Sequence, residues 1–214
     1  AGFNLTEPEG KRMTARESKR ESSQLGEKSG GAGRPAATAG AGTSGMNRAF
    51  TLLRRGSAIP LCLLLLGLVV WVFLPALRGD FIEFDDSVYV TKNARVNSGF
   101  ALGNMVWACV NAVAGNWHPV TMWSLMLDHQ LYGLRPWGYH LTNVLLHALN
   151  AVLVFLVFRR LTGATWRSLL VAGLFGLHPL RVESVAWISE RKDVLSALFW
   201  LLTLWAYVSY VEKA

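Results

Sequence analysis

Residues 56–77 run without a single charge, between Arg54-Arg55 on one side and Arg78 on the other. As a helix rising about 1.5 Å per residue, those positions reach about 33 Å, enough to cross a hydrocarbon core. A helix that is apolar on every side has no polar face to offer water, so it commits the chain to a bilayer or a very deep core. Secretory leaders also place basic residues before an apolar run, but they are shorter and end in a small-x-small cleavage site, which is lacking here. The stretch predicts a retained first membrane span near 57–77.

Further uncharged windows follow. Residues 136–158 lie between Arg135 and Arg159, and residues 194–211 between Asp193 and Glu212; they predict spans near 138–158 and 194–211. Residues 168–180 are too short to cross alone. They become long enough if the helix continues through Arg181 and Glu183 to Ile188 with a kink at Pro179, which predicts a span near 167–188. The fold class is therefore an all-α integral membrane protein with about four transmembrane helices. Composition agrees: 52% of the chain is hydrophobic and only 16% charged, outside the range of a soluble domain.

Residues 1–45 break this pattern. They are rich in Gly, Ala and Ser, carry more bases than acids and have almost no large apolar side chains, so they predict a disordered basic tail ahead of a membrane part covering 46–214. The formal charge of +7 fits cytoplasmic flanks and contact with membrane lipid. No nucleic-acid motif accompanies it, and nucleic acid is not expected as a partner. Cys62 and Cys109 have no metal-ligand spacing, and no metal site is assigned.

Orientation follows from Lys and Arg near the membrane. Arg48, Arg54 and Arg55 precede the first span, and Arg159, Arg160 and Arg167 crowd the short 159–167 loop. Both flanks predict a cytoplasmic side, with the N-terminus in and the 79–137 loop outside. Arg181, Arg191 and Lys192 then fall on the external side against the rule, and misplaced cations there call for an anionic partner. Within the loop, Leu102, Met105, Val106, Cys109, Val110 and Val113 share one helical face. A second helix is predicted from Pro119 to about Leu131. Two amphipathic helices beside a bilayer are expected to lie in its interface.

Three groups of residues could carry chemistry. Asp85-Asp86 sits just beyond the first span; adjacent carboxylates repel, which suits a general base, or they share a divalent cation, and the plainer reading is an exposed acidic turn. His140, Asn143, His147 and Asn150 line one face of the second span. The deeper two read as interhelical glue, whereas His140 is placed to face a polar cavity. His178, Glu183 and Arg191, with Glu190 and Lys192 nearby, bring ions to membrane depth, where a guanidinium fork suits phosphate; capping of the last span is the competing reading.

Read together, several strings resemble one family. They are Asn116-Trp117-His118-Pro119-Val120-Thr121, Gly138-Tyr139-His140-Leu141-Thr142-Asn143 with His147-Ala148, and His178-Pro179 through Glu183-Ser184-Val185-Ala186 to Glu190-Arg191-Lys192-Asp193. They are similar to the membrane half of the transmembrane and tetratricopeptide-repeat proteins, glycosyltransferases of the C class related to protein O-mannosyltransferases, in the bacterial branch. The resemblance covers roughly Phe81 to Ala214. It implies a multi-pass protein of the bacterial inner membrane that takes a sugar from a polyprenyl-phosphate donor and passes it to a protein or glycan acceptor. It makes Asp85 or Asp86 the base or metal ligand. It puts His178, Glu183 and Arg191 near the donor phosphate; His140, from its place at the external end of the stripe, is expected as a further substrate-binding residue. Where the eukaryotic branch has Arg before the loop proline, this chain has His118. The family carries more membrane helices and a C-terminal repeat domain, so the resemblance implies an N-terminal portion that is inactive by itself. A non-catalytic membrane anchor for such a repeat domain is the alternative.

Overall fold

A computed structural model describes residues 58–213; the predicted tail, its arginine flank and the first two residues of the first apolar run lie outside them. Eight α-helices form among the described residues: α1 Ala58–Phe73, α2 Ala94–Asn97, α3 Leu102–Val110, α4 Pro119–Tyr132, α5 Pro136–Thr162, α6 Thr165–Leu177, α7 Arg181–Ala186 and α8 Arg191–Val211. No strand forms among these residues; there is a single isolated bridge between Val113 and Asn116.

Three helical stretches are long and apolar enough to cross a membrane: Ala58–Arg78, Pro136–Thr162 and Ile188–Val211. The first is α1 continued by a 3-10 turn over Leu74–Arg78, and the third adds a 3-10 turn at Ile188–Glu190 to α8. Among the described residues they cover the apolar windows near 57–77, 138–158 and 194–211. The predicted 167–188 helix does not form. α6 ends at Leu177, and His178 is extended at φ −67°, ψ 133°. Pro179 is the cause: its ring excludes the preceding residue from the α region, so the helix stops where a kink was expected. At thirteen residues, α6 is only about 20 Å long, short of a hydrocarbon core of about 30 Å.

α5 is the hub. Pro136 opens it where a missing N–H costs nothing, and Gly163 closes it in the left-handed region at φ 66°, its N–H bonding Arg159 O. Its buried Val144, Ala148, Ala151, Val154 and Phe155 meet Leu65, Val69 and Phe73 of α1, Ala172 of α6, and Val194 and Leu201 of α8. Small residues along this seam let the helices approach closely, which is how packing holds helices together when lipid is as apolar as the core.

The loop between α1 and α5 has its own core. Tyr89, Val90, Val96, Ala108, Met122, Leu125 and Met126 close over Tyr139 of α5 and Ile188. The predicted loop helices are present as α3 and α4. The apolar face of α3 turns away from this core: Leu102, Val106 and Val110 are exposed, and Asn104 and Ala108 point inward. The helix also ends at Val110, so Val113 leaves the predicted stripe and joins the bridge to Asn116.

Candidate functional site

The broken segment between α6 and α8 dictates what surrounds it. Backbone without helical bonds is tolerated at membrane depth only where protein or a wet cavity satisfies it. The polar stripe of α5 does this here. Asn143 Nδ2 donates to Trp187 O at 3.1 Å, His147 Nε2 lies 3.0 Å from Gly176 O, and Asn150 Nδ2 donates to Val194 O at 2.8 Å. The ends of α6 and α7 and the first turn of α8 are thus tied to one helix face.

The acidic pair meets this segment from the loop. Asp86 is fully buried. Its Oδ1 accepts the Ser189 N–H at 3.0 Å and the Ser189 hydroxyl in a short bond, and its Oδ2 accepts the Ile82 N–H at 2.9 Å. Three donors compensate a charge that would otherwise be costly to bury. Asp85 differs. It is half-buried, and its carboxylate makes no hydrogen bond or ion pair among the described residues; only its backbone carbonyl is used, by Val88 and Tyr89. The two carboxylates, equivalent in sequence, are therefore a pinned one and a free one. Further along the loop, Ser87, Lys92, Asn93 and Trp107 help to line a hollow of about 480 Å³.

Arg191 is fully buried, and its guanidinium is committed to protein. It donates to Ser124 Oγ at 2.7 Å, Asp128 Oδ2 at 2.6 Å, Tyr139 O at 2.9 Å and, in a short bond, Asn143 Oδ1. Thr142 Oγ1 donates to the other Asp128 oxygen at 2.8 Å. Burial pushes the Asp128 carboxyl up from its ordinary value, and the Arg191 charge pulls it back only in part. The expected contact of Arg191 with a donor phosphate thus meets a side chain whose donors are already engaged. Its neighbour Lys192 is a third exposed and pairs with Glu190 at 2.7 Å.

His140 is 4% exposed, and neither of its ring nitrogens has a hydrogen-bond partner among the described residues. It packs against Gly79 so closely that a Cβ there would stand 3.1 Å from its Nε2. His178 is exposed, and its Nδ1 accepts the Leu180 N–H at 3.2 Å, closing its own turn. Glu183 is exposed in the first turn of α7. Neither His178 nor Glu183 bonds to the acidic pair among the described residues. The structure therefore gathers Asp86, His140 and the Arg191 segment and leaves His178 and Glu183 at the surface. Arg181 stacks over Phe175, 4.6 Å from the ring centroid.

His118, which stands where the resembled eukaryotic branch has Arg, packs at a tilt against Tyr89, ring centroids 5.3 Å apart, with both ring nitrogens buried and no hydrogen-bond partner in good geometry among the described residues. Burial, and secondarily the Lys192 charge, hold its pKa below the ordinary histidine value. Asp128 and Ser189 were not singled out from sequence. Asp128 left a signal, since Ser124 and Asp128 sit four apart on a helix of large apolar residues. Ser189 left none. Among the described residues no cluster of His, Cys, Asp and Glu is assembled to hold a metal ion.

A bundle of apolar spans around a polar, interrupted segment defines an α-helical membrane protein with a buried polar site. Comparison with known proteins narrows the class. A family model described as dolichyl-phosphate-mannose-protein mannosyltransferase matches residues 116–214, a stretch that begins after the acidic pair. The chain is 31% identical over 159 residues to protein O-mannosyl-transferase Tmtc2 of Drosophila melanogaster, covering 71% of this chain and 17% of that one. It is 34% identical over 146 residues to Tmtc1 of the same organism, covering 65% and 16%. To TMTC4 of Homo sapiens it is 34% identical over 156 residues, covering 63% and 21%. The similarity is thus to protein O-mannosyltransferase-like membrane proteins, and the match spans about a fifth or less of these relatives' length. No solved structure matches the chain.

Proposed function

We propose that this chain is the N-terminal membrane portion of a protein O-mannosyltransferase-like glycosyltransferase that uses a polyprenyl-phosphate-linked sugar. The observation that carries the reading is the division of labour in the acidic pair. Asp86 is spent on structure, and Asp85 is left beside it with an unengaged carboxylate. In the reaction, an acceptor hydroxyl attacks the anomeric carbon and gives its proton to Asp85. The bond from that carbon to the carrier's phosphate oxygen breaks, and the electron pair leaves with the phosphate. His178 and Glu183 are the exposed members of the donor-side set, and His178 is the one able to donate to the leaving oxygen. Arg191 acts on the site through its walls.

The same reading orients the chain with the N-terminus and the 159–167 loop on the cytoplasmic face and Asp85 outside. The arginine distribution supports it. Reporter fusions at Lys92 and Glu190 then report outside, and one at Gly163 inside.

The test is transfer itself. The full-length protein is supplied with labelled polyprenyl-phosphate mannose and an acceptor polypeptide, and the product is read by mass spectrometry. Hexose on Ser or Thr, absent without the protein, is expected. Intact donor and unmodified acceptor, with well-folded protein, overturn the reading.

A further inference from the structure

We propose that Ser189 is a positioning residue for the acidic pair, an assignment that rests on the transferase reading above. Asp86 and Ser189 are 103 residues apart in sequence, yet the carboxylate receives both donors that Ser189 has, its amide at 3.0 Å and its hydroxyl. Both residues are fully buried, so water does not compete for these bonds.

Ser189 is itself held from both sides. Two residues earlier, Trp187 O accepts Asn143 Nδ2 of α5 at 3.1 Å. Two residues later, Arg191 is bolted to Ser124 and Asp128 of α4 and to Tyr139 O and Asn143 of α5. Residues 187–191 are therefore a strap fixed to both the loop and the central span, and Ser189 is where the strap grips the acid loop. On the other side, Asp86 Oδ2 accepts the Ile82 N–H at 2.9 Å. The turn that begins there takes the Val88 and Tyr89 amides onto Asp85 O at 2.9 and 3.0 Å.

Asp85 is one peptide unit from a carboxylate that cannot move without breaking three bonds. Its own side chain has nothing else to fix it among the described residues. The place of the reacting carboxylate is thus set through its neighbour. Displacement of a catalytic group by about 1 Å can cost about 10²-fold in rate, so the hydroxyl of Ser189 is felt in turnover without touching either substrate. Threonine keeps both donors; alanine keeps only the amide.

The experiment compares Ser189→Ala, Ser189→Thr and Asp85→Asn in the full-length protein, with rates normalised to the folded fraction from size-exclusion chromatography. Hydrogen exchange at the Ile82 amide is followed in the same samples. Positioning predicts that Ser189→Ala lowers kcat about 10- to 100-fold with the donor KM within about twofold, that Ser189→Thr retains most of kcat, and that the Ile82 amide exchanges faster in the alanine variant only. Unchanged kcat in Ser189→Ala beside an inactive Asp85→Asn overturns the proposal and leaves the transferase reading standing. Threonine no better than alanine also overturns it. Full transfer by Asp85→Asn overturns the reading of the site instead, and an Ile82 amide equally protected in Ser189→Ala then removes the anchor as well.

Discussion

Arg191 and Asp128 form a buried ion pair 2.6 Å long, their side chains 0% and 3% exposed, between α8 and the loop helix α4. The pair closes the loop core onto the membrane bundle. Asn143, Ser124, Thr142 and the Tyr139 carbonyl complete it, so every charged atom has a partner. Buried pairs of this kind add little over a well-packed apolar pair, but breaking one leaves an uncompensated charge in a dry place.

Replacing either partner alone, Arg191→Ala or Asp128→Ala, is expected to destabilise the protein by about 3–5 kcal/mol. Arg191→Lys is also damaging, because an ammonium cannot serve four acceptors arranged for a planar fork. The double variant Arg191→Met with Asp128→Leu recovers most of the loss. Thermal unfolding in detergent reads all four; single variants that melt like the parent would show the pair to be idle.

Gly176 sits where α6 crosses α1 and α5. A Cβ there would lie 2.8 Å from a Val69 methyl and 3.0 Å from Ala151 Cβ. Gly176→Val should cost about 1–3 kcal/mol by overpacking. Gly67→Ala on α1 meets nothing within 4 Å and should leave the melting temperature unchanged or raise it slightly. Equal tolerance at both positions would mean the α1–α6 contact is not closely packed.

The three long apolar helices were legible because charge-free runs of sufficient length have few other uses. Two of the three loop helices, α3 and α4, were legible too, α3 from the period of its apolar residues; the single turn of α2 was not. What sequence misjudged was Pro179. A kink and a break look alike until the backbone of His178 decides between them, and that depends on whether α5 supplies partners for the freed carbonyls. The acidic pair was visible as a pair, but nothing local distinguishes Asp85 from Asp86. The distinction is made by Ser189, over a hundred residues away. The charge of Arg191 stands out in the sequence, whereas its partner Asp128 is one polar residue on an apolar helix.

His118 gives a pH-dependent prediction. Folding lowers its pKa from 6.5, by burial first and the Lys192 charge second, so the folded loop favours the neutral ring. The loop is unaffected above the unfolded value and loses stability as pH falls below 6.5 through the lower folded value. NMR titration of the ring should give a midpoint below 6.5. Lys192→Ala should raise it part of the way, since burial remains. A midpoint at or above 6.5 contradicts this environment.

Because the two carboxylates have separate tasks, an asparagine at each position should fail in a different way. Asp85→Asn and Asp86→Asn are made in the full-length protein, and sugar transfer per folded molecule and melting temperature are recorded for each. Asp85→Asn is expected to lose about 10²–10⁴-fold in turnover, the scale of general-base catalysis, with an unchanged melting temperature. Asp86→Asn is predicted to lower the melting temperature clearly, because an amide cannot accept all three donors held by the carboxylate. Full turnover by Asp85→Asn, or a stable Asp86→Asn protein that has lost only its chemistry, would mean that the two carboxylates do not divide the work in this way.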